Sequence, residues 1–435
     1  MNRMALYFVA IAALAAGSDS DAAFADLAKL PPDQQRTTAY LTLSTMPPAM
    51  RRDLTNVLRF VVPSLSSRAY LPDQLPYAVP GTNLLRLDLA GLGWEGTYAQ
   101  VIAKQYVPTY RPDLAATGQV PLVVSGLWFA AAVTDPELTK DAQYQLLYGG
   151  KVPKNEKEFK EFWKVNDDAG INFGRIEGAS GVNVQSTRLV ENHATAIRSY
   201  SWQTYDSKIV SGQTDPLENL TARPPKHDAS ELIVGIPKYS GRESGTLHAF
   251  FLADGKGNRQ EKAPADIVTD NTLTRGVEIK NTIGCIGCHS EGLRPPNLDQ
   301  YRAYIEAGAR IYAKDKPTQQ EIDRYLDSPI AKELAKNNAE YAAGLALCNG
   351  LSPQANALAF QRIVRTFDAP VDLEQAAREL YTSAENWRLA LGNYSRTYQL
   401  TGRLALMAQG QAISRQQWEA NYSLAQQVLA AWSAQ

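Results

Sequence analysis

Three residues in one short run could do chemistry together: Cys285, Cys288 and His289, in the order Cys285-Ile286-Gly287-Cys288-His289. Two thiols separated by two residues can add to the two vinyl groups of a haem, and the imidazole next in line is left free to ligate the iron. The spacing spans the vinyl positions and brings the histidine to the metal from the same side. It points to one covalently attached haem c. Two other uses of a Cys-x-x-Cys pair fit less well. A thioredoxin-like redox pair needs a strand–turn–helix setting, whereas the flanks Lys280-Asn281-Thr282 and Ser290-Glu291-Gly292 read as loop. A structural zinc site needs two further Cys or His ligands at short spacing, and the only other cysteine, Cys348, is far along the chain.

With His289 on one side of the iron, the residue on the other side decides the chemistry. The one methionine after the motif, Met407, sits in an apolar helical stretch and reads as core packing. The remaining histidines are His193, His227 and His248. All precede the motif, and each could reach back across the iron or be an ordinary hydrogen-bonded side chain. Residue type and spacing leave the three open.

The elements that must position these residues begin with an export signal. Arg3 supplies a positive charge, residues 4–16 form a short apolar stretch, and Ala23-Phe24-Ala25 is an Ala-x-Ala cleavage site. The stretch is too short to span a bilayer, and no later run is long enough, so no transmembrane segment is expected after signal removal. The expected location is the periplasm, which agrees with covalent haem attachment outside the cytoplasmic membrane. The leftover Cys348 reads as a buried small hydrophobe near a helix end, ahead of Asn349-Gly350. With 44 basic and 45 acidic residues the chain has no basic excess, and no nucleic-acid partner is expected.

The expected fold class is α+β. After the signal at 1–25, a mixed α/β region is expected over 26–170, with a strand at 82–89 and a helix at 98–105. A mainly antiparallel β region is expected over 171–282, with strands at 199–205, 231–236 and 246–253. The run Asp254-Gly255-Lys256-Gly257-Asn258 is a turn. A helical haem-binding domain is expected over 283–435, with helices at 299–313, 319–326, 353–367, 372–381 and 416–432. Thr318, Ser352 and Asp372 suit helix N-caps, and Trp387, Trp418 and Trp432 suit the bundle core.

Several motifs resemble an uncharacterised family of bacterial periplasmic proteins with a single c-type haem. They are Leu85-Arg86-Leu87-Asp88-Leu89 followed by Trp94, Ser180-Gly181-Val182 followed by Arg188 and His193, and the run 200–206. His227-Asp228 with Glu231, the run 254–264, the Cys-x-x-Cys-His motif and Gly292 complete the match. The family has histidines at the positions of His193 and His227 but not of His248, and it has two glycines where this chain has Ala229-Ser230. The resemblance implies haem binding and export, and it carries no reaction. It makes His193 the leading second iron ligand and His227 the next. Arg188 is then a candidate partner for a haem propionate, since a guanidinium matches a carboxylate bidentately.

Three functions follow as expectations, with electron transfer the favoured one and a haem enzyme or gas sensor the alternative. With histidine on both sides the iron is saturated, and the protein is an electron carrier serving an exported or membrane-bound redox partner. With one side open it is a haem enzyme of the peroxidase kind or a sensor of small gases, and a distal histidine could act as acid or base. A scaffold stapled by haem is the third, and nothing in the sequence supports it.

Overall fold

The computed structural model describes residues 18–70, 75–103, 107–110, 121–166, 172–177, 186–208, 227–265, 268, 278–294, 330–398 and 402–433. The helices expected at 299–313 and 319–326, with Thr318, lie outside these residues. The class is α+β, with two sheets and a set of helices near the C-terminus. In place of three consecutive regions, the chain packs as two interleaved units. One comprises 1–62, 74–133 and 362–435, and the other 63–73 and 134–361.

The first unit begins with α1 (Ser18–Leu27) and a five-stranded sheet of β1 (Thr38–Thr42), β2 (Tyr77–Ala78), β3 (Leu84–Asp88), β4 (Thr109–Tyr110) and β5 (Val123–Ser125). The strand order is β2-β3-β1-β5-β4, antiparallel except for β1 beside β5. Ala23 of α1 is fully buried against Tyr40, Leu84 and Val123. The Asp26 carboxylate accepts from the Tyr40 hydroxyl at 2.9 Å and pairs with Arg86 at 3.0 Å. The cleavage expected after Ala25 falls inside this helix. It would remove Ala23 from the core and leave Asp26 at the new terminus.

The second unit carries α2 (Ala142–Leu147) and α3 (Glu156–Trp163), then six strands. These are β6 (Asn172–Glu177), β7 (Ser186–Ala194), β8 (Tyr200–Lys208), β9 (Ala229–Ser240), β10 (Glu243–Asp254) and β11 (Arg259–Gln260). They form one antiparallel sheet in the order β11-β10-β9-β8-β7-β6. The strands expected at 231–236 and 246–253 are the middles of β9 and β10, a hairpin closed by Gly241-Arg242 with Gly241 at φ 58°. At the other end of β10, Asp254 accepts from the backbone N–H of Lys256 and of Asn258, which sets the turn into β11.

Side chains alternate across this sheet. One face presents Leu232, Val234 and Ile236 of β9 with Ala249, Phe251 and Ala253 of β10, packed against Tyr144 and Leu147 of α2 and Phe159 and Trp163 of α3. The other face presents Trp202, Thr204, Glu231, Ile233, Phe250 and Leu252. The register opposes Trp202 to Ile233, Ile233 to Phe250, and Glu231 to Leu252.

Two helices cover that second face. The first, α4 (Ile283–His289), contains the whole Cys-x-x-Cys-His motif, and the second is α5 (Ile330–Asn349). A Cβ on Gly344 of α5 would come within 2.1 Å of the Thr246 carbonyl, so glycine is what lets this helix lie directly on β10. The Trp202 indole N–H donates to the Asn337 side chain at 2.8 Å, and the Tyr341 ring stacks on His248 at 4.2 Å between centroids. The motif helix thus docks on a sheet, and the helices from residue 362 onward belong to the other unit.

Lys238 in β9 is fully buried, and its ammonium donates to the Ser66 and Arg68 carbonyls at 2.7 and 2.9 Å. Burial pushes its pKa down to about 7. The unfolded chain, with an ordinary lysine near 10.4, therefore binds the extra proton between about pH 7 and 10.4. Folding stability should rise with pH across that window, with a slope of at most about 1.4 kcal/mol per pH unit. Below pH 7 the full penalty applies. Urea unfolding of wild type and Lys238→Met at pH 7 and pH 9 tests this, and the variant should lose the rise.

The helices that follow α5 are α6 (Pro353–Asp368), α7 (Leu373–Glu379), α8 (Ala384–Tyr398), α9 (Arg403–Ala408) and α10 (Arg415–Ser433). Ser352 and Asp372 cap α6 and α7 by accepting from the backbone N–H of Ala355 and Gln375. Trp387, Met407, Trp418 and Tyr422 form one buried cluster, with Trp432 packed against it. Met407 is core here, and its sulfur accepts from the Trp387 indole.

Candidate functional site

The motif lies within the two turns of α4, where the i, i+3, i+4 spacing puts Cys285, Cys288 and His289 on one side of the helix. The chain entering it is held firmly. Ile283 N–H donates to the Thr134 carbonyl at 3.1 Å, and the buried Lys280 ammonium pairs with Asp135 at 3.0 Å and with Glu137 at 2.6 Å. Thr282, directly before the helix, has φ 67°, a strained conformation for a β-branched residue. The chain leaving the helix is clamped by α5. Asn338 exchanges two hydrogen bonds with the backbone of Leu293 at 2.7 and 2.8 Å, and the Tyr341 hydroxyl donates to the Ser290 carbonyl. At φ 107°, with the Asn338 side chain 2.6 Å from where a Cβ would stand, position 292 requires glycine.

Between α4 and the sheet lies a cleft of about 100 Å³ that opens to solvent. Its walls are largely apolar, with Trp202, Ile233, Leu252, Ile279 and Leu334 among them, and Cys285, Cys288 and His289 all line it. Pockets for cofactors and small ligands span roughly 300–1,000 Å³, so a haem seated here would have to widen the cleft. One His nitrogen, Nε2, faces the Glu231 carboxylate at 3.5 Å, with both side chains 13% exposed. The other, Nδ1, is buried with no hydrogen-bond partner among the described residues. Two thiols, one imidazole and an apolar cleft are the donor set and surroundings that a covalent haem requires. Among the described residues no group of three or more His, Cys, Asp or Glu could hold a metal ion by itself.

Cys285 is 1% exposed, and burial foremost, with the Glu231 charge next, pushes its thiol well above the ordinary value. A thiol–disulfide exchange pair needs the opposite shift, so this environment disfavours that use of the two cysteines. Cys348 on α5 is buried as well, and burial pushes its thiol up to about 12. It is inert in this setting.

The two histidines favoured as second ligands are not brought to the motif, which corrects the sequence expectation. His193 follows the alternation of β7 onto the face opposite the cleft. There Nε2 lies 2.9 Å from the Glu191 carboxylate and Nδ1 3.2 Å from the Asn166 carbonyl. The Tyr205 hydroxyl donates to the same Glu191 oxygen. His227 packs edge-on against the Tyr205 ring at 5.0 Å and borders a shallow recess with Glu156, Lys160 and Gly255.

His248 is the histidine on the cleft side of the sheet, two residues from Phe250, whose ring lies 6.0 Å from that of His289. Its Nε2 bonds the Tyr200 hydroxyl at 3.0 Å, and its Nδ1 is buried without a partner among the described residues. Burial, with the nearby His289 second, pushes its pKa down to about 3, so it is neutral.

Arg188 is described by its backbone, paired in register with Asp206, a cleft-lining residue. Two other cations line the cleft. Lys262 is already held by Glu137 and Glu278, whereas the exposed Arg294 reaches it with its Nε bonded to the Cys288 carbonyl. Sequence reading gave no role to Arg294 and noted Glu231 only within a shared motif. The available signal was a lone carboxylate opening the apolar run Glu231-Leu232-Ile233-Val234, since charge is costly on a buried strand. No protein-family model, curated protein or solved structure matches this chain.

Proposed function

We propose that this chain is an exported c-type haem protein. Cys285 and Cys288 carry one haem, His289 ligates its iron, and the opposite side of the site is open to a small ligand. The carrying observation is the meeting of all three motif side chains at one apolar cleft, with His289 as its sole histidine among the described lining residues. A bound haem would supply an iron that changes between ferric and ferrous states and accepts exogenous ligands. The chain's residues supply the rest. His289 is oriented by α4, Trp202, Ile233 and Leu252 exclude water, and Arg294 at the cleft suits a propionate. Thiol addition needs an accessible thiol, and Cys285 is buried once α4 docks, so attachment belongs to the chain before that face closes.

A second reading is an electron carrier closed by His248, favoured by its place on the cleft side of β10 and its unpartnered Nδ1. Absorption spectra of the exported protein, ferric and ferrous, with and without carbon monoxide, separate the two. The open site gives a ferrous spectrum that shifts with carbon monoxide, and His193→Ala and His227→Ala leave it unchanged. Sharp α and β bands that ignore carbon monoxide and are lost in His248→Ala would establish the carrier instead.

A further inference from the structure

We infer that α4 is a hinged flap: it lifts off the sheet about Thr282 while the rest of the second unit stays folded, exposing Cys285 and widening the cleft. On the haem reading above, on which this rests, that is how a haem reaches the site.

The need for such a motion is geometric. Cys285 is 1% exposed and the cleft holds about 100 Å³, far less than a haem. A haem held by the thiols and lying against the cleft walls therefore requires α4 and the sheet to separate. The residues of α4 suit a part that comes away. It has seven residues, too few to be stable by themselves. Gly284 and Gly287 are poor helix formers, and Ile283 and Ile286 are β-branched. What stability α4 has comes from docking.

Hinge and latch stand at opposite ends of the helix. At its entry the Ile283 N–H donates to the Asn281 carbonyl at 3.0 Å across Thr282, whose φ 67° and ψ −67° make a rare and strained γ-turn. The chain just before is anchored by Lys280 on Asp135 and Glu137, so the pivot falls at Thr282. At the exit the latch comes from α5. Asn338 accepts from the Leu293 N–H at 2.7 Å and donates to the Leu293 carbonyl at 2.8 Å, and the Tyr341 hydroxyl donates to the Ser290 carbonyl at 3.4 Å. The 20-residue α5 is a fixed base, so close to the sheet that a Cβ on Gly245 of β10 would come within 2.1 Å of the Gly344 nitrogen. Lifting α4 relieves strain at one end and breaks a few hydrogen bonds at the other. Local opening ahead of global unfolding occurs where that balance is smallest.

The fold supplies its own control, because Cys348 is also buried but sits on α5. The experiment uses the full-length chain, reduced and made where no haem is attached, with Cys288→Ser so that the two buried thiols are the only ones. Alkylation of each by iodoacetamide is followed by mass spectrometry, in rising urea below the unfolding transition. Cys285 should react about tenfold or more faster than Cys348. Its rate should hardly change with urea, since little surface opens, whereas the Cys348 rate should climb steeply. Phe159→Leu, in the core on the other face of the sheet, should speed Cys348 about tenfold and leave Cys285 within about threefold, because that core persists when α4 alone lifts. Asn338→Ala should speed both thiols about tenfold, because its bonds to Leu293 are lost in either opening. Thr282→Gly, for which φ 67° is unstrained, should slow Cys285 about threefold.

Three results overturn the inference. The first is an equal rate and urea dependence for the two thiols. The second is a Phe159→Leu protein, folded by circular dichroism, in which both thiols speed up alike. The third is a Cys285 rate that neither Asn338→Ala nor Thr282→Gly moves. Haem on the denatured exported wild type is read separately, and its absence fails the haem reading rather than the flap.

Discussion

Replacing Cys285 and Cys288 together by serine should remove all haem from the denatured protein, while wild type retains its haem on a denaturing gel stained for haem peroxidase activity. The effect is all or none because a thioether survives denaturation and a coordination bond does not. Cys285→Ser or Cys288→Ser alone should leave one thioether and a reduced haem signal. His289→Ala should leave both thioethers but change the spectrum, since it removes the iron ligand and not the tether. The expectation rests on all three side chains lining one cleft. Haem on the denatured double variant would defeat the proposal outright. The double variant should also be less stable, because the apolar walls around Trp202, Ile233 and Leu252 would then enclose no haem.

Glu379→Ala should destabilise the first unit by about 3–5 kcal/mol, the cost of leaving a buried charge without its partner. The Glu379 carboxylate takes two hydrogen bonds from Arg415 at 2.7 and 3.0 Å, one from the Trp418 indole at 2.7 Å and one from Gln375 at 2.8 Å. Both charged side chains are only 2% exposed. Removing the carboxylate strands the Arg415 guanidinium, which also lies over the Phe367 ring at 4.5 Å. Arg415→Met should cost a similar amount for the mirror reason. Glu379→Leu combined with Arg415→Met should recover much of the loss, because two apolar side chains leave no buried charge behind. Urea unfolding followed by tryptophan fluorescence checks this, since Trp387 and Trp418 share the cluster. A double variant no more stable than either single one would mean that the network matters for more than the pairing of charge.

Local pattern made much of the fold legible. The apolar, aromatic-rich run 246–253 located β10, and the acidic and hydroxyl residues Ser352 and Asp372 marked helix starts that hydrogen bonds to the following N–H groups now account for. Apolar helical spacing over 416–432 located α10 to within a residue at each end. Domain organisation was not legible, because the units are assembled from segments far apart in the chain. Residues 362–435 pack with 1–62 and 74–133, a pairing that no local periodicity encodes.

The sequence by itself determined which side chains can act. The thiols and imidazole of Cys285, Cys288 and His289 have a spacing that is a covalent property of the chain and holds in any conformation. Tertiary structure alone decided what stands opposite them. His193 and His227 looked eligible because sequence separation sets no limit on where a histidine ends up. The pleat of the sheet then carried His193 to the far face, while the same pleat turned Glu231 and His248 to the near one. A strand changes face with every residue, so one position along β7 or β9 decides whether a polar group meets the motif or the opposite core. That parity is set by strand register, and register is fixed only when the whole sheet has assembled.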